Sequence, residues 1–410
     1  MEQNLLFEVG LALGIIALAG IVSERLRFSI VPLLILAGMI VGPQAPHFGI
    51  LDFRFIESES LITFMGRLGI LFLLFYLGLE FSVGRLMKAG GAIIKGGVIY
   101  MLINLSLGLL FPMLLGWPLR EILVVAGITT ISSSAIVAKM IVDLKRSVRQ
   151  ETEMILGLMM FQDIFVAVYL SVVSGLVLTG ATSTLLVLKS ASLALGFMLT
   201  FLFLGRKLLP QLNRILDIPS DEVFLLVLFS ILLLTAGFSE TIHVAEAIGA
   251  LLVGLVLAET EHTGRIEHIL LPFRDLFGAT FFFSFGLSID PQSLKGAVWP
   301  ALAAVALTII GNFVAGLLAG RLSGYSYRES TYVGLTITSR GEFSIILAKL
   351  ASAGGLLPIL QPFSALYVLT LAVLGPLLTK EARWIYVKLS RFFGWPELKE
   401  RRRHKVPGNA

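Results

Sequence analysis

A few polar side chains set in long apolar runs carry the chemistry of this sequence. Gln162 and Asp163 stand side by side within Met160-Phe161-Gln162-Asp163-Ile164. An ionisable group in such a setting costs at least about 2.5–3.5 kcal/mol and marks function by default. Low-dielectric surroundings favour a neutral carboxylic acid and a nearby cation favours the carboxylate. One carboxyl can therefore hold a proton or a metal ion, but not both. Gln162 adds a neutral carbonyl oxygen suited to a partly dehydrated alkali cation. The alternative for Asp163 is an ion pair bridging helices, and for Gln162 a packing role on another face. Two hydroxyl runs accompany them, Gly127-Ile128-Thr129-Thr130-Ile131-Ser132-Ser133-Ser134 and Gly334-Leu335-Thr336-Ile337-Thr338-Ser339-Arg340-Gly341-Glu342. Serine, threonine and glycine are poor helix formers that compete for backbone hydrogen bonds, so both runs are predicted to unwind. Their freed carbonyls and half-helix C-termini can hold a cation, and their positive N-termini require acidic groups. Arg340 and Glu342 are expected to be structural charges that compensate one another or the half-helices, with Glu80 as a further partner for Arg340.

The elements that position these residues are membrane spans. Hydrophobic residues make up 56% of the 410, charged residues only 14%, and the mean hydropathy is +0.91. So few charges cannot solvate a soluble fold of that size. Runs of about 20 apolar residues fall near 5–22, 30–48, 61–81, 91–115, 120–142, 151–178, 184–209, 221–238, 243–260, 271–290, 294–322, 328–351 and 357–379. The expectation is an all-α membrane protein of thirteen helices. With the N-terminus outside, 24 of the 32 basic residues fall in inner loops and tail, among them Arg85, Lys88, Lys145, Arg146 and Arg149. Four fall outside, Arg54, Arg120, Lys189 and Lys295, which predicts N-out and C-in in a cell (inner or plasma) membrane. Arg67, Lys139, Arg340 and Lys349 lie within spans. Lys139 and Lys349 are expected to snorkel to opposite surfaces, and Glu246 to meet His243 or water. No cleavage site follows the first span, which is therefore expected to be retained.

The chain also repeats itself. At an offset of 208, Phe75-Tyr76-Leu77-Gly78-Leu79 faces Phe283-Ser284-Phe285-Gly286-Leu287, Asn104 faces Asn312, Gly116 faces Gly324, and Arg120-Glu121 faces Arg328-Glu329. The offset covers seven spans, an odd number, so the repeats are inverted. Repeat one covers about 5–178, a linker helix about 184–209, and repeat two about 221–379, giving a transmembrane domain over 1–379. Residues 380–410 form a basic cytosolic tail, read as a stop-transfer segment that touches lipid headgroups. Inverted repeats with broken helices at mid-membrane are the architecture of alternating-access transporters.

The sequence contains no cysteine, and its five histidines make no metal-ligand spacing. No nucleophile–base pair or phosphate-binding glycine loop points to an enzyme. The basic charge belongs to membrane topology and not to nucleic-acid binding.

At Gln162-Asp163, the two hydroxyl runs and Arg340-Gly341-Glu342, the chain resembles the monovalent cation:proton antiporter-2 family. It is most similar to the potassium-efflux branch (Kef/Kht-like), which has Gln-Asp where sodium exchangers carry two acids. The Phe75-to-Glu80 and Phe282-to-Asp290 segments and the thirteen-span plan match as well, so the resemblance covers 1–379. It implies a sodium/proton-antiporter-like fold and a homodimer with a mobile six-helix core. It implies that Asp163 carries the proton or the potassium ion, and that Gln162, Thr130, Ser132 and Ser133 line the site. Electrogenic sodium exchangers have a lysine in the helix before the Arg-Gly-Glu motif. Asn312 stands there in this chain, which favours electroneutral 1:1 exchange. The short length and lack of a fused nucleotide-binding domain resemble potassium/proton antiporter subunits that work with a separate soluble cytosolic regulator.

The resulting expectation is exchange of cytosolic potassium for protons with no cofactor. The alternatives are sodium/proton antiport, a sodium-coupled organic-anion carrier, and a ligand-gated channel or scaffold.

Overall fold

The computed structural model describes residues 5–395 except 27–28, 46, 49–50, 53–55, 57–58, 81–90, 147–148, 179–191, 193–195, 198, 202 and 242–245. In chain order the helices are α1 (Leu5–Leu26), α2 (Ile30–Val41), α3 (Glu59–Glu80), α4 (Gly91–Leu114), α5 (Leu119–Thr130), α6 (Ser134–Asp143), α7 (Gln150–Leu178) and α8 (Leu209–Leu216). They continue with α9 (Asp221–Thr241), α10 (Glu246–Leu257), α11 (Thr263–Leu287), α12 (Leu294–Leu322), α13 (Tyr327–Thr336), α14 (Glu342–Ala353), α15 (Leu360–Lys380) and α16 (Ala382–Phe393). A two-residue hairpin, β1 (His47–Phe48) and β2 (Leu51–Asp52), follows α2.

Among the described residues eight helices are long and apolar enough to cross a bilayer, and α2 and α10 are shorter apolar helices. The span read near 30–48 is helical only to Val41, because Gly42-Pro43 follows and a residue before proline is pushed out of the α region. Conversely, α11 begins eight residues before the apolar run read near 271. Its first turns carry Arg265, Glu267 and His268, which hydropathy alone discards. Half of the linker span near 184–209 lies outside the described residues.

Both predicted breaks are present. The fifth span is α5 and α6 separated by Ile131 to Ser133, and the twelfth is α13 and α14 separated by Ile337 to Gly341. Ser326 opens α13 with a capping box: its hydroxyl accepts from the Glu329 N–H at 3.2 Å, and its own N–H donates to Glu329 Oε2 at 2.8 Å.

The repeat is visible in the backbone. Gly116 and Gly324, one offset apart, close the turns after α4 and α12 with φ of +71° and +91°, a conformation natural to glycine. Gly108 on α4 presses against Ala126 and Thr129 of α5, and its mate Gly316 on α12 presses against Gly334 of α13.

Packing sorts the helices into two bodies. The first three spans of each repeat, α1–α3 and α9–α11, pack together as a scaffold. Within it α2 meets α11 at Gly38 and Gly286, and α3 meets α10 at Gly78 and Gly254. At each crossing an added Cβ would collide with the facing backbone. The last three spans of each repeat, α4–α7 and α12–α15, form a core. The two bodies touch mainly through α15 on α2, α7 on α10, and α14 on α11.

Candidate ion-binding site

The broken spans cross inside the core, and their loose ends are joined to each other. Ser133 N–H donates to Ser339 O at 3.0 Å, and Ser132 Oγ donates to Ile337 O at 2.8 Å. Asn312 on α12 donates to the same Ile337 carbonyl at 3.0 Å and accepts from the Tyr100 hydroxyl at 2.5 Å. A helix that ends in a membrane leaves carbonyls that need partners. Here Arg340 supplies most of them. Its side chain is fully buried. Nη2 and Nε donate to Thr129 O at 2.8 and 3.1 Å, and Nη1 reaches Ser132 Oγ and Ile337 O, each at 3.1 Å. Ser344 Oγ satisfies Ile128 O at 2.8 Å, and Tyr367 OH adds a second donor to Thr129 O at 3.2 Å.

This arrangement corrects one expectation. The carbonyls at the two half-helix C-termini do not await a cation from solution; a guanidinium held by the chain itself already occupies the crossing. Glu342 stands in the first turn of α14 and accepts from Ser133 Oγ at 2.9 Å, so its negative charge compensates that helix's positive end. Arg340 and Glu342 thus serve opposite poles. The Glu80 side chain lies outside the described residues.

The hydroxyl and amide residues divide into two groups. Ser132 N–H donates to Gln162 Oε1 at 2.9 Å, so the carbonyl oxygen expected to face an ion holds the extended segment. Gln162 Nε2 and Thr130 Oγ1 are buried without a hydrogen-bond partner. Asp163 instead lines a cleft of about 830 Å³. That cleft separates the core from the scaffold. Ser134, Val137, Met159, Met160 and Glu342 form one wall, and Ile30, Leu34, Tyr76, Leu77 and Phe282 the other. Its lining comes from the start of α2, the last turns of α3, the first turn of α6, the middle of α7 and α11, and the start of α14. Elsewhere in the core, Phe363 stacks on Tyr367 and Phe111, with centroids 5.8 and 6.3 Å apart, and meets Trp117 edge-on at 6.0 Å.

Residues 13–380 match the family described as sodium/hydrogen exchanger, transmembrane. The chain belongs to that family. It is a secondary transporter and not an enzyme. The exchanger is 61% identical over 397 residues to the K(+)/H(+) antiporter subunit KhtU of Bacillus subtilis, spanning 97% of this chain and 98% of that one. It is 31% identical over 401 residues to the ammonium/H(+) antiporter subunit AmhT of Alkalihalophilus pseudofirmus, with 95% of each chain covered. Among solved structures, the sodium proton antiporter MjNhaP1 of Methanocaldococcus jannaschii superposes with a TM-score of 0.66 at 19% identity, over 93% of this chain and 97% of that one. That likeness establishes the antiporter fold.

Two charges of the exchanger lie where sequence reasoning did not put them. Lys349, expected to snorkel, meets the scaffold. Its Nζ donates to Ser284 Oγ on α11 at 3.2 Å and sits 5.3 Å from the centre of the Phe281 ring. It thereby ties core to scaffold. Its repeat mate Lys139 has its side chain outside the described residues. Glu246, at the start of α10, pairs with Arg67 on α3: Arg67 Nε donates to both carboxylate oxygens at 2.7 Å, and Nη2 bonds Glu240 at 2.8 Å. His243 lies outside the described residues. Opposite charges inside two apolar runs, Arg67 in the third span and Glu246 in the ninth, were a signal for that pair; nothing in the sequence pointed to the contact of Lys349 with Ser284.

Proposed function

We propose that the chain exchanges potassium for protons by alternating access, with Asp163 as the residue that carries either one. The observation that carries this reading is the cleft between core and scaffold, which is lined by a carboxyl at mid-helix, Asp163. In an exchanger the bound ion, and not both ions at once, must license movement of the core along the scaffold. A carboxyl that is neutral with a proton or neutralised by potassium meets that requirement, because an unpaired charge in the membrane interior is strongly disfavoured. Ser134 lies beside Asp163 on the cleft wall and Ser133 just behind it. Gln162 and Ser132 hold the extended segment, Thr130 is buried next to it, and the three come within reach of an ion through rearrangement of that layer.

Asn312 contributes a neutral amide to the crossing, and Glu342 is matched to its helix end. Asp163 is then the one group whose charge changes in the cycle, and the exchange is electroneutral, 1:1. The basic end of the molecule, with Arg25, Lys145, Arg146 and Arg149, faces the cytosol, so the cleft opens inward and both the N-terminus outside and the C-terminus inside follow. We assign the chain to the cell membrane as a homodimer. A soluble cytosolic subunit gates it at the inner loops. The name of the relative KhtU, a subunit, supports such a partner.

The deciding experiment measures proton movement in proteoliposomes on addition of potassium, sodium, lithium or choline. Ammonium belongs in the series because of the activity in the name of AmhT. Potassium-driven proton flux that is lost in Asp163→Asn and insensitive to a clamped membrane potential is the expected result. Flux that survives Asp163→Asn, or depends steeply on voltage, overturns the assignment.

A further inference from the structure

Helix α16 has no part in the exchange chemistry, yet it is built with two distinct faces. Ala382, Tyr386 and Ser390 recur every four residues and are buried. Ala382 and Ile385 pack with Tyr332 and Leu335 of α13 and with Phe313 and Leu378. Trp395, just past the helix, stacks on Tyr327 at 4.9 Å and on Phe393 at 5.3 Å. The helix is thus seated on the half-helix whose far end supplies the Ile337 crossing.

The other face is exposed and mixes aromatic with basic side chains. Trp384 is 56% exposed and Phe392 82%. Arg383, Lys388 and Arg391 are exposed beside them, and Lys388 Nζ lies 3.8 Å from the centre of the Trp384 ring. Only Glu381 separates α16 from α15, which spans the membrane, so α16 begins where the chain leaves the hydrocarbon. A helix in that position, with tryptophan and phenylalanine beside lysine and arginine, fits the headgroup layer: the rings enter the acyl boundary and the cations meet anionic lipid. A soluble protein would have to replace that bilayer contact on a face that continues directly from a span.

We propose that α16 is a bilayer-surface helix that binds anionic headgroups and, through its seat on α13, makes transport respond to membrane charge. A shift of α16 is passed to α13, and α13 carries Thr336 and Ile337 at the crossing, where Arg340, Asn312 and Ser132 converge. Lipid charge therefore acts on the mobile core without touching Asp163.

The test uses the full chain in vesicles of phosphatidylcholine with and without phosphatidylglycerol. In a variant with Trp117→Phe, Trp299→Phe and Trp395→Phe, the remaining Trp384 reports on its surroundings. Brominated phosphatidylglycerol should quench it, and Arg383→Gln/Lys388→Gln/Arg391→Gln should weaken that quenching by roughly fivefold per charge removed. The phosphatidylglycerol dependence of cation-driven proton flux should disappear in the same triple variant. An unquenched Trp384, a triple variant with unchanged lipid dependence, or quenching relieved by a soluble protein that takes over the face would each overturn the proposal. The quenching readout is independent of which ion is exchanged, so its failure is distinct from failure of the potassium reading.

Discussion

Replacing Arg340 tests the electrostatic reading of the crossing directly. The guanidinium closes two half-helix C-termini, α5 through Thr129 O and α13 through Ile337 O. A cation at a helix C-terminus contributes up to about 2 kcal/mol in a partly buried geometry. Two such ends give about 4 kcal/mol for Arg340→Met, a substitution that keeps much of the volume and removes the charge. The acceptors are not left wholly bare: Thr129 O retains the Tyr367 hydroxyl, and Ile337 O retains Asn312 and Ser132. Orphaned acceptors therefore add little beyond the lost charge. Arg340→Lys keeps a positive charge, but one ammonium cannot span both ends as the fork does. It should recover roughly half, about 2 kcal/mol. Equilibrium unfolding in mixed micelles gives the ordering wild type, Lys, Met. Methylguanidinium should restore part of the stability of Arg340→Ala by refilling the vacated space. A Met variant within about 1 kcal/mol of wild type, or a Lys variant no better than Met, would refute the argument.

The other expectations can be checked with the same protein. Asp163→Asn should fold and abolish cation-driven proton flux, because asparagine keeps shape but cannot change charge. Gln162→Asp should move preference from potassium towards sodium, since two carboxylates repay more of sodium's dehydration. The same change shortens the reach to Ser132 N–H and should cost about 1 kcal/mol of stability; an unaltered ion ratio would remove Gln162 from selectivity. Lys349→Met removes the tie to Ser284 and should shift the population away from the inward-open state. Loss of about 1.4 kcal/mol there is a tenfold change in the state ratio. The chain has no cysteine, so Met160→Cys on the cleft wall reports that shift through its labelling rate from the cytosolic side. An unchanged rate would assign Lys349 to packing alone.

The all-helical character, the two breaks and the glycine turns one repeat offset apart were legible because each depends on local composition or on comparison of the chain with itself. Serine and threonine runs in an apolar setting name the place where a helix fails, whatever packs around it. What occupies the gap is a tertiary matter. Arg340 and Glu342 are two apart in sequence, which left open whether they compensate one another or the half-helices; the fold turns them to opposite helix poles. Asn312 illustrates the same limit. Its position in the repeat was readable, but not the Tyr100 hydroxyl that holds its amide against Ile337 O. In the tail, net charge masked a second signal. Ala382, Tyr386 and Ser390 at four-residue spacing mark a helix with a buried face, and the density of arginine and lysine drew the reading to a stop-transfer tail without naming that helix.

The glycine crossings in the scaffold have a mechanical consequence. Where α2 meets α11 and α3 meets α10, backbone lies on backbone, with no side chain between to tilt, swap rotamer or slide. Such joints have almost no compliance. The seam along the cleft is the opposite: a few side-chain contacts and an open volume. If stress is applied anywhere in the molecule, strain collects at the seam, because every parallel route through the scaffold is stiffer. The track is rigid and the carriage is loose by virtue of where the chain placed its smallest residues, so the axis of motion is written into the packing before any ion arrives.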